Sequence, residues 1–583
     1  MSVKTLCARG CAVGLMLLAA GTTHAQLRVV TYNTNTFQTG FPDGVERFVR
    51  DGVVPAIQAL GEEQVNGIAR PADIILLQEQ QRPVTTTQNL VDQLNAIYGD
   101  GFYARGFEVG ATTGGSGFGP LDGGEIRQAV IYRTDSVQLL DEDSFGGISG
   151  PTQPRETLFY QFRPIGYGAD ADLFIFNSHF EAGDGTGFGD DLFARENEAT
   201  DIRDFITSNS LGSSNVIVAG DLNVDSNFEL SGTTTFGGRS SLQILSDGTD
   251  AEGRVLDPLF PDGGDVTFSF NFGLADQLTQ SPADDGPGPL TGGGIDDRFD
   301  FILTSDELLD DDGVALIPDS YHVFGNNGST FNDQINDGNT ISINGLTSFT
   351  TAEVLDALES GSDHLPVVAD FQLPAVLDAI ADAVPATLAV GEEFDLGVTI
   401  TNAAAVATVN GADELDYTLS VAGDLVGAAS GTDAALGGGV LELVGLDTSS
   451  VVLKSGVITV ETSSQGAANA LVTIPVSFEV IAAMLTGDFN ADGFVGQADL
   501  NLVLLNFGAT VLPDGFDATN TTEGFFDGLI GQNELNDVLL NFGNGALPET
   551  NAIPEPGVGA ALGVALLAGL GSRRRVAYGR EVG

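Results

Sequence analysis

Short β-branched runs, several of them closing on a polar residue and separated by amphipathic stretches, set the strongest limit on what this chain can become. The runs occupy residues 27–32 (LRVVTY), 72–79 (ADIILLQE), 128–133, 172–179, 215–221, 298–303 and 365–371. Between them, apolar residues recur at helical spacing over residues 45–60, around Leu90, Leu94 and Ile97, and over 191–208. Alternation of this kind predicts an α/β domain of packed layers, with the polar residues gathered at strand ends. Gly- and Asp-rich stretches at 110–124, 262–297 and 325–345 read as long loops set between core elements.

The 583 residues exceed one hydrophobic core, so several domains are expected. A net charge of -59 accompanies 42% hydrophobic residues, which describes a chain with acidic surfaces and buried cores, not a disordered polyanion. No lysine occurs between Gln26 and Pro374. This argues against tight nonspecific binding of nucleic acid, which depends on Lys and Arg at phosphates, and a phosphate substrate must be held by metal and arginine.

Residues 1–25 carry Lys4 and Arg9, an apolar run from 12 to 20 and the small-residue stretch Thr23-His24-Ala25, the pattern of a signal peptide. The run is far short of the ~20 residues of a spanning helix. Cys7 and Cys11 are the two cysteines and leave with this segment, so the exported chain has no disulfide, thiolate site or cysteine nucleophile. Beyond a first domain at 26–374, Val, Thr, Ala and Gly alternate through FDLGVTITN (394–402) and ALVTIPVSFEVI (470–481), which predicts an all-β sandwich at 385–482. That module shows no acid, base or metal constellation and reads as a spacer or adhesive element. NLVLLNFG (501–508) returns as NDVLLNFG (536–543), an internal duplication.

The candidate chemistry sits at strand ends. Glu79 closes the buried run ILLQE, where a carboxylate has little structural reason to be and suits a hard cation such as Mg²⁺. Asn33, ending the first strand, completes that metal shell, binds phosphate, or is a turn residue. Asp221 and Asn223 in VIVAGDLN stand two apart and leave the chain on one side; an Asx turn is the competing account. His179 (IFNSHF) and His364 (SDHLP) lie at strand boundaries, whereas His322, the remaining histidine after residue 25, lacks such company and reads as structural. Asp300, between Phe299 and Phe301, needs a partner at that position; His364 is the expected one, giving a base toward water, with Asp363 beside it available to metal or water. Arg127 is a candidate phosphate contact, and Arg195 a weaker one that also fits a solvated helix face.

Taken in order, TYN, LLQE, NSHF, GDLN, RFDFIL and SDHLP resemble the motif series of the endonuclease/exonuclease/phosphatase family over nearly the whole first domain. The resemblance implies a four-layered α/β sandwich, two packed mixed sheets flanked by helices, with the site at one edge of the sheets. It implies Glu79 as ligand of Mg²⁺ (or Mn²⁺ or Ca²⁺), Asn33 and Asn223 as phosphate or metal contacts, and Asp221 orienting nucleophile or leaving group. An Asp300–His364 pair would activate water, and His179 would face the phosphate or protonate the leaving oxygen. A histidine at position 179 is similar to the secreted deoxyribonuclease, sphingomyelinase and phosphatase branches.

Asp488, Asn490, Asp492, Gly493, Gly496 and Asp499 match a twelve-residue Ca²⁺ loop at positions 1, 3, 5, 6, 9 and 12. Residues 485–547 resemble a type I dockerin, a small helical calcium-binding module whose family partner is a cohesin. In the second repeat Asp527, Gly528 and Glu534 fit positions 5, 6 and 12, while Glu523 and Phe525 stand at 1 and 3, a degenerate pattern. Residues 553–576, with Pro554-Glu555-Pro556, an apolar stretch and Arg573 to Arg575, resemble a PEP-CTERM sorting signal, which implies transient membrane association and a place at the surface or outside a Gram-negative cell. The expected function is hydrolysis of extracellular nucleic acid; a phosphatase, a sphingomyelinase-like phospholipid diesterase and a noncatalytic surface-binding protein are the alternatives.

Overall fold

The structure is a computed structural model and describes residues 26–36, 49–80, 85–106, 127–147, 155–183, 191–225, 239–248, 253–261, 266–286, 290–482, 485–522 and 526–545. The expected signal peptide, the loop at 110–124 and the sorting signal lie outside the described residues. Among those described, no helix is long and apolar enough to cross a membrane. The chain forms two compact units, one of Met1–Ala383, Asp395–Gly445 and Gly456–Pro475, the other of Val384–Phe394, Leu446–Ser455 and Val476–Gly583.

The first unit opens with β1 (Gln26–Asn33), α1 (Val53–Glu62), β2 (Ile74–Gln80), α2 (Thr86–Tyr98), β3 (Tyr103–Arg105) and β4 (Arg127–Arg133). There follow β5 (Val137–Gly146), β6 (Glu156–Pro164), β7 (Leu173–His179), α3 (Asp191–Ser208), β8 (Asn215–Asp221), α4 (Ser241–Leu245) and β9 (Val255–Leu256). The α/β part closes with β10 (Asp300–Ser305), β11 (Ala315–Leu316), β12 (His322–Val323), α5 (Thr351–Gly361) and β13 (Val367–Gln372). One mixed sheet has the order β11-β13-β1-β2-β4-β3, with β12 also against β13; the second has β9-β10-β8-β7-β6-β5.

Both sheets bury one face against the other. Ile75 and Leu77 of the first join Ile175, Ile217 and Ile302 of the second in one core, which explains why the central strands read as continuous apolar runs. Helices α1, α2 and α5 cover the first sheet; α3 and α4 cover the second, over Phe176, Val216 and Val218. Helix, sheet, sheet, helix is thus the layer order. In α1, Val53, Ala56, Ile57 and Leu60 are buried, the i, i+3, i+4, i+7 stripe that fixes its inward face. Arg28, fully buried on β1, donates to Asp370 on β13 at 2.8 Å and to the Leu60 carbonyl at 2.8 Å, joining two strands and a helix end.

The hairpin β5–β6 is not visible as a pair of strands in the sequence pattern. Its edge strand reads VQLLDEDSFG, and an edge tolerates the Asp and Glu that weaken a strand signal. Strand β10 begins at Asp300, two residues later than the run at 298–303 predicts, because Arg298 is drawn off to Asp257 at 2.6 Å and lies 4.3 Å from the Phe301 ring. His322 is structural: its Nε2 lies 2.9 Å from Glu63 Oε2.

Also within the first unit, Leu377–Ala381, Asp395–Asn402 and residues 440–445 pair antiparallel, and Leu415–Gly423 pairs with Ala428–Asp433. This strand-rich portion is tied to the α/β layers by hydrogen bonds such as Gly313 N to Asp413 Oδ2 at 3.0 Å. In the second unit, Thr387–Ala389 runs parallel to residues 479–481. Its helices α6 (Gln497–Asn506) and α7 (Gln532–Asn541) share a core of Phe489, Val495, Val503, Phe516, Ile530 and Val538.

Candidate active site

Strand register assembles the site. On the second sheet Asp221 of β8 lies opposite His179 of β7 on one side and Asp300 of β10 on the other, one row across three strand ends. On the first sheet Asn33 pairs with Gln78, and Glu79 follows at φ +55°, where the register between β2 and β4 shifts. That irregularity turns the Glu79 side chain out of the strand alternation. Gly220 is required one residue before Asp221: at φ +142°, a Cβ would stand 1.7 Å from the Ser178 carbonyl oxygen.

Across the gap between the sheets, Asn33 Nδ2 donates to Asp221 Oδ2 at 3.0 Å and to Glu79 Oε1 at 3.2 Å. His179 Nε2 lies 3.5 Å from Asp221 Oδ2 and 3.9 Å from Glu79 Oε1. Glu79, His179 and Asp221 each offer one ligand atom within 4.8 Å of the others. On the far side of Asp221, His364 Nε2 is 3.7 Å from Asp221 Oδ2, while its Nδ1 is 2.7 Å from Asp300 Oδ2.

The electrostatics show what this cluster lacks. Burial pushes the Glu79 carboxyl upward and Asp363 adds to the push. Asp221 is raised to about 7, first by burial and then by the charges of Asp300 and Glu79, with His364 opposing. Burial lowers His364, but Asp300 and Asp221 outweigh it and hold the ring well above its ordinary value. His179 is moved the other way by burial, Arg155 and His364, which favours the uncharged ring, and its buried Nδ1 has no partner. Crowded, desolvated carboxylates with an imidazole facing them form a donor set that fits a divalent cation held by Glu79, His179 and Asp221.

Four sequence expectations are altered by the geometry. Asn33 Oδ1 accepts from Asn35 N at 3.1 Å, which fixes the amide with its N–H side toward the carboxylates. A donor repels a cation, so Asn33 fits a phosphate contact and not a metal ligand. Asp363 is outside the cation set: its oxygens accept from Asn35 Nδ2 at 3.0 Å and from Thr291 N at 2.8 Å, so it anchors the loop beside His364. Asn223 spends an amide N–H on the Phe180 carbonyl at 2.9 Å and gives its backbone N–H to Asp221 Oδ1 at 3.1 Å, bracing the turn that presents Asp221. Arg127 begins β4, where its backbone pairs with Gln80; its side chain lies outside the described residues. Arg195 is fully buried and donates to the carbonyls of Glu181 and Gly183 at 2.6 and 2.9 Å, so it is neither a solvated nor a phosphate-facing residue.

Two neighbours were missed. Gln280, from the Asp-rich loop, places Nε2 2.9 Å from His364 Nε2, and Asn35 binds both Asp363 oxygens. Asn35 was open to notice in TYNTN, two residues beyond Asn33; Gln280 carried no signal, since loop side chains follow no period.

In the second unit, Asp488, Asp492 and Asp499 offer ligand atoms within 4.8 Å of one another. Asp488 accepts from the backbone N–H groups of Asp492 and Gly493 at 3.1 and 2.8 Å, Asp499 from Asn490 and Gly496 at 3.0 and 2.8 Å, and Asn490 Nδ2 donates to Asp492 at 2.8 Å. In the second repeat Glu534 accepts from Gly531 N at 2.7 Å and Asp527 from Leu529 N at 3.0 Å; Glu523 and Phe525 lie outside the described residues.

No protein-family profile matches this sequence, and no curated protein is significantly similar to it. Loosely similar solved structures include the human Nocturnin catalytic domain, at 14% identity and TM-score 0.33, covering 60% of this chain and 95% of that one. An endonuclease/exonuclease/phosphatase from Beutenbergia cavernae DSM 12333 follows at 14% and 0.32, covering 78% and 100%. D. rerio TDP2 complexed with single strand DNA product stands at 15% and 0.32, covering 60% and 99%. Likenesses this loose decide neither fold family nor activity.

Proposed function

We propose that the first unit is a divalent-metal-dependent phosphodiesterase of the endonuclease/exonuclease/phosphatase type that cleaves nucleic acid outside the cell. The observation that carries this reading is the meeting of two arrangements at Asp221: a cation set of Glu79, His179 and Asp221, and a buried carboxylate–imidazole dyad of Asp300 and His364. Phosphodiester hydrolysis needs both functions around one phosphorus atom.

In this reading His364 Nε2 takes the proton from the attacking water as the opposite P–O ester bond breaks and the departing oxygen takes a proton from solvent, while Asp300 on Nδ1 fixes the tautomer and balances the imidazolium that results. Once the Glu79 and Asp221 oxygens turned to a cation, the Asn33 amide that now donates to both would be left with an N–H for a phosphoryl oxygen. His179 and the carboxylates of Glu79 and Asp221 would hold the cation. A bound divalent cation would draw charge off the phosphoryl oxygens and cancel the field that Asp221 places on His364. Gln280 lies where the water must approach Nε2 and orients it or gives way to it.

Export by residues 1–25, Ca²⁺ binding by the Asp488–Asp499 loop, a cohesin-like partner and sorting by residues 553–576 complete the proposal; the sequence patterns support them. The test is hydrolysis of single- and double-stranded oligonucleotides, sphingomyelin and a phosphomonoester with Mg²⁺, Mn²⁺ or Ca²⁺. The expected result is metal-dependent cleavage of oligonucleotides that His364→Ala and Glu79→Ala abolish without unfolding. Cleavage of sphingomyelin or the monoester alone would replace the nuclease reading with its alternatives, and turnover in either variant would overturn the site.

A further inference from the structure

The loop from Val266 to Gly286 runs along the rim of the site. At one end Phe268 N donates to the Asp225 carbonyl at 2.7 Å and Ser269 Oγ to Asp225 Oδ1 at 2.7 Å, two residues beyond Asn223. At the other end Gln280 lies against His364, and Leu365 N donates to the Thr279 carbonyl at 2.8 Å. Between these ties, Phe270 and Phe272 are 65% and 73% exposed. Both rings meet Phe331 edge-on, with centroids 5.6 and 5.3 Å apart and planes at 78° and 85°.

The two rings are held in place. Phe270 sits at φ +53°, a left-handed conformation that a bulky residue adopts only where its surroundings enforce it. Its N–H donates to the Asp296 carbonyl at 2.6 Å, and the Asn271 side chain spans the Thr267 carbonyl and Gly273 N at 2.7 and 2.9 Å. Strain of this kind, sustained to keep two large apolar rings in water beside a reaction centre, calls for a ligand that covers them.

We propose that Phe270 and Phe272 form a stacking platform for an unpaired nucleobase, so that the substrate is single-stranded nucleic acid. The inference rests on the phosphodiesterase reading above. Charge decides between occupants. In sequence, this loop and the segment after it carry Asp276, Asp284, Asp285, Asp296 and Asp297, and residues 26–374 contain no lysine, so this rim does not grip a phosphate backbone. A duplex hides its bases and offers mainly phosphates there. A membrane surface presents headgroup phosphates to the same carboxylates, without the cationic residues that ordinarily draw a protein to it. An unpaired base offers a neutral π-face, whose attraction to an aromatic side chain needs no positive charge.

The experiment uses the full chain with Mg²⁺ and two oligomers of one length, a fluorescent single-stranded oligonucleotide and its fully abasic counterpart, with cleavage and anisotropy binding read side by side. The wild type should favour the base-bearing oligomer in kcat/KM and in Kd. In Phe270→Ser/Phe272→Ser the preference should fall roughly 5- to 150-fold, the range for losing one base–aromatic stack. Phe270→Tyr/Phe272→Tyr should restore most of it. An unchanged preference in the serine variant overturns the platform, as does equal cleavage of duplex. Phe-dependent flotation with phosphatidylcholine vesicles, without base preference, would assign the rings to a lipid surface. No turnover of either oligomer would sink the phosphodiesterase reading, while the binding preference would still decide the platform.

Discussion

Asp300→Asn removes one charge from the dyad and keeps its shape. Asp300 is fully buried, with Oδ2 2.7 Å from His364 Nδ1 and Oδ1 without a partner. The asparagine oxygen still accepts from Nδ1–H, so the ring stays in place, but the imidazolium formed as water is deprotonated loses its counter-charge. For unit charges about 4 Å apart at an effective dielectric constant near 20, that loss is about 4 kcal/mol. At 1.36 kcal/mol per decade kcat should fall about 10³-fold, within the ~10²–10⁴ ascribed to a general base. KM should hardly move, because the substrate does not touch Asp300. The new amide N–H, buried without an acceptor, should cost about 1–3 kcal/mol of stability, seen as a lower Tm by circular dichroism. The decisive assay is single-turnover cleavage at saturating Mg²⁺ by the two single variants and Asp300→Asn/His364→Ala. Residues acting as one unit give a double variant no slower than His364→Ala. Near-normal kcat in Asp300→Asn, or losses that multiply in the double variant, would refute the dyad.

Metal binding should raise the Tm of the wild-type protein, by an amount equivalent to about 2.7 kcal/mol at a hundredfold excess over Kd; Glu79→Gln should lose most of that shift, and an equal shift in scanning fluorimetry would remove Glu79 from the cation set. Burial lowers the His322 pKa, but the Glu63 hydrogen bond and charge outweigh it and the net shift is upward. The contribution is therefore complete below ~6.5, the unfolded value, and is lost as pH rises through the higher folded value. The stability gap between wild type and His322→Gln should accordingly narrow from acid to alkaline pH, and a gap that widens would reverse the assignment. Asp370→Ala leaves the Arg28 guanidinium buried without its carboxylate and should cost about 3–5 kcal/mol, measured by urea denaturation; a cost near zero would mean that the carbonyls of Leu60, Glu63 and Arg70 suffice for Arg28.

The sequence made the layered α/β core legible, because parallel strands buried on both faces are continuous apolar runs and their ends are marked by polar residues. Residues 215–221 were read to the residue, and six candidate side chains, Asn33, Glu79, His179, Asp221, Asp300 and His364, do come together. What sequence could not supply is direction. Which side of the Asn33 amide faces inward depends on the Asn35 N–H, and Asp363 is occupied by partners 328 and 72 positions away. The acidic edge strand β5, and the placement of Gln280 and the paired phenylalanines, were also hidden, since edges and loops obey no hydrophobic period.

That division has a physical cause. Register along strands is enforced over many residues by burial, so a slip of one position at β8 would turn Asp221 away from both His179 and Asp300. The row is therefore as secure as the core beneath it. Its cost is local: the same burial that fixes Glu79 and Asp221 raises both carboxyls, and Asp300 and Asp363 add charge of the same sign. Among the described residues the charges of Arg155 and Arg50 reach Glu79, but Arg155 is already engaged with the Phe180 carbonyl at 2.6 Å and with Glu181, and Arg50 with the Asn35 carbonyl at 3.1 Å. The core thus holds together a set of charges it does not neutralise. A cation would supply the missing charge, and it follows that loading the site should stabilise the strand ends most, with amide exchange slowing at Asn33, Glu79 and Asp221 before it slows elsewhere in the two sheets.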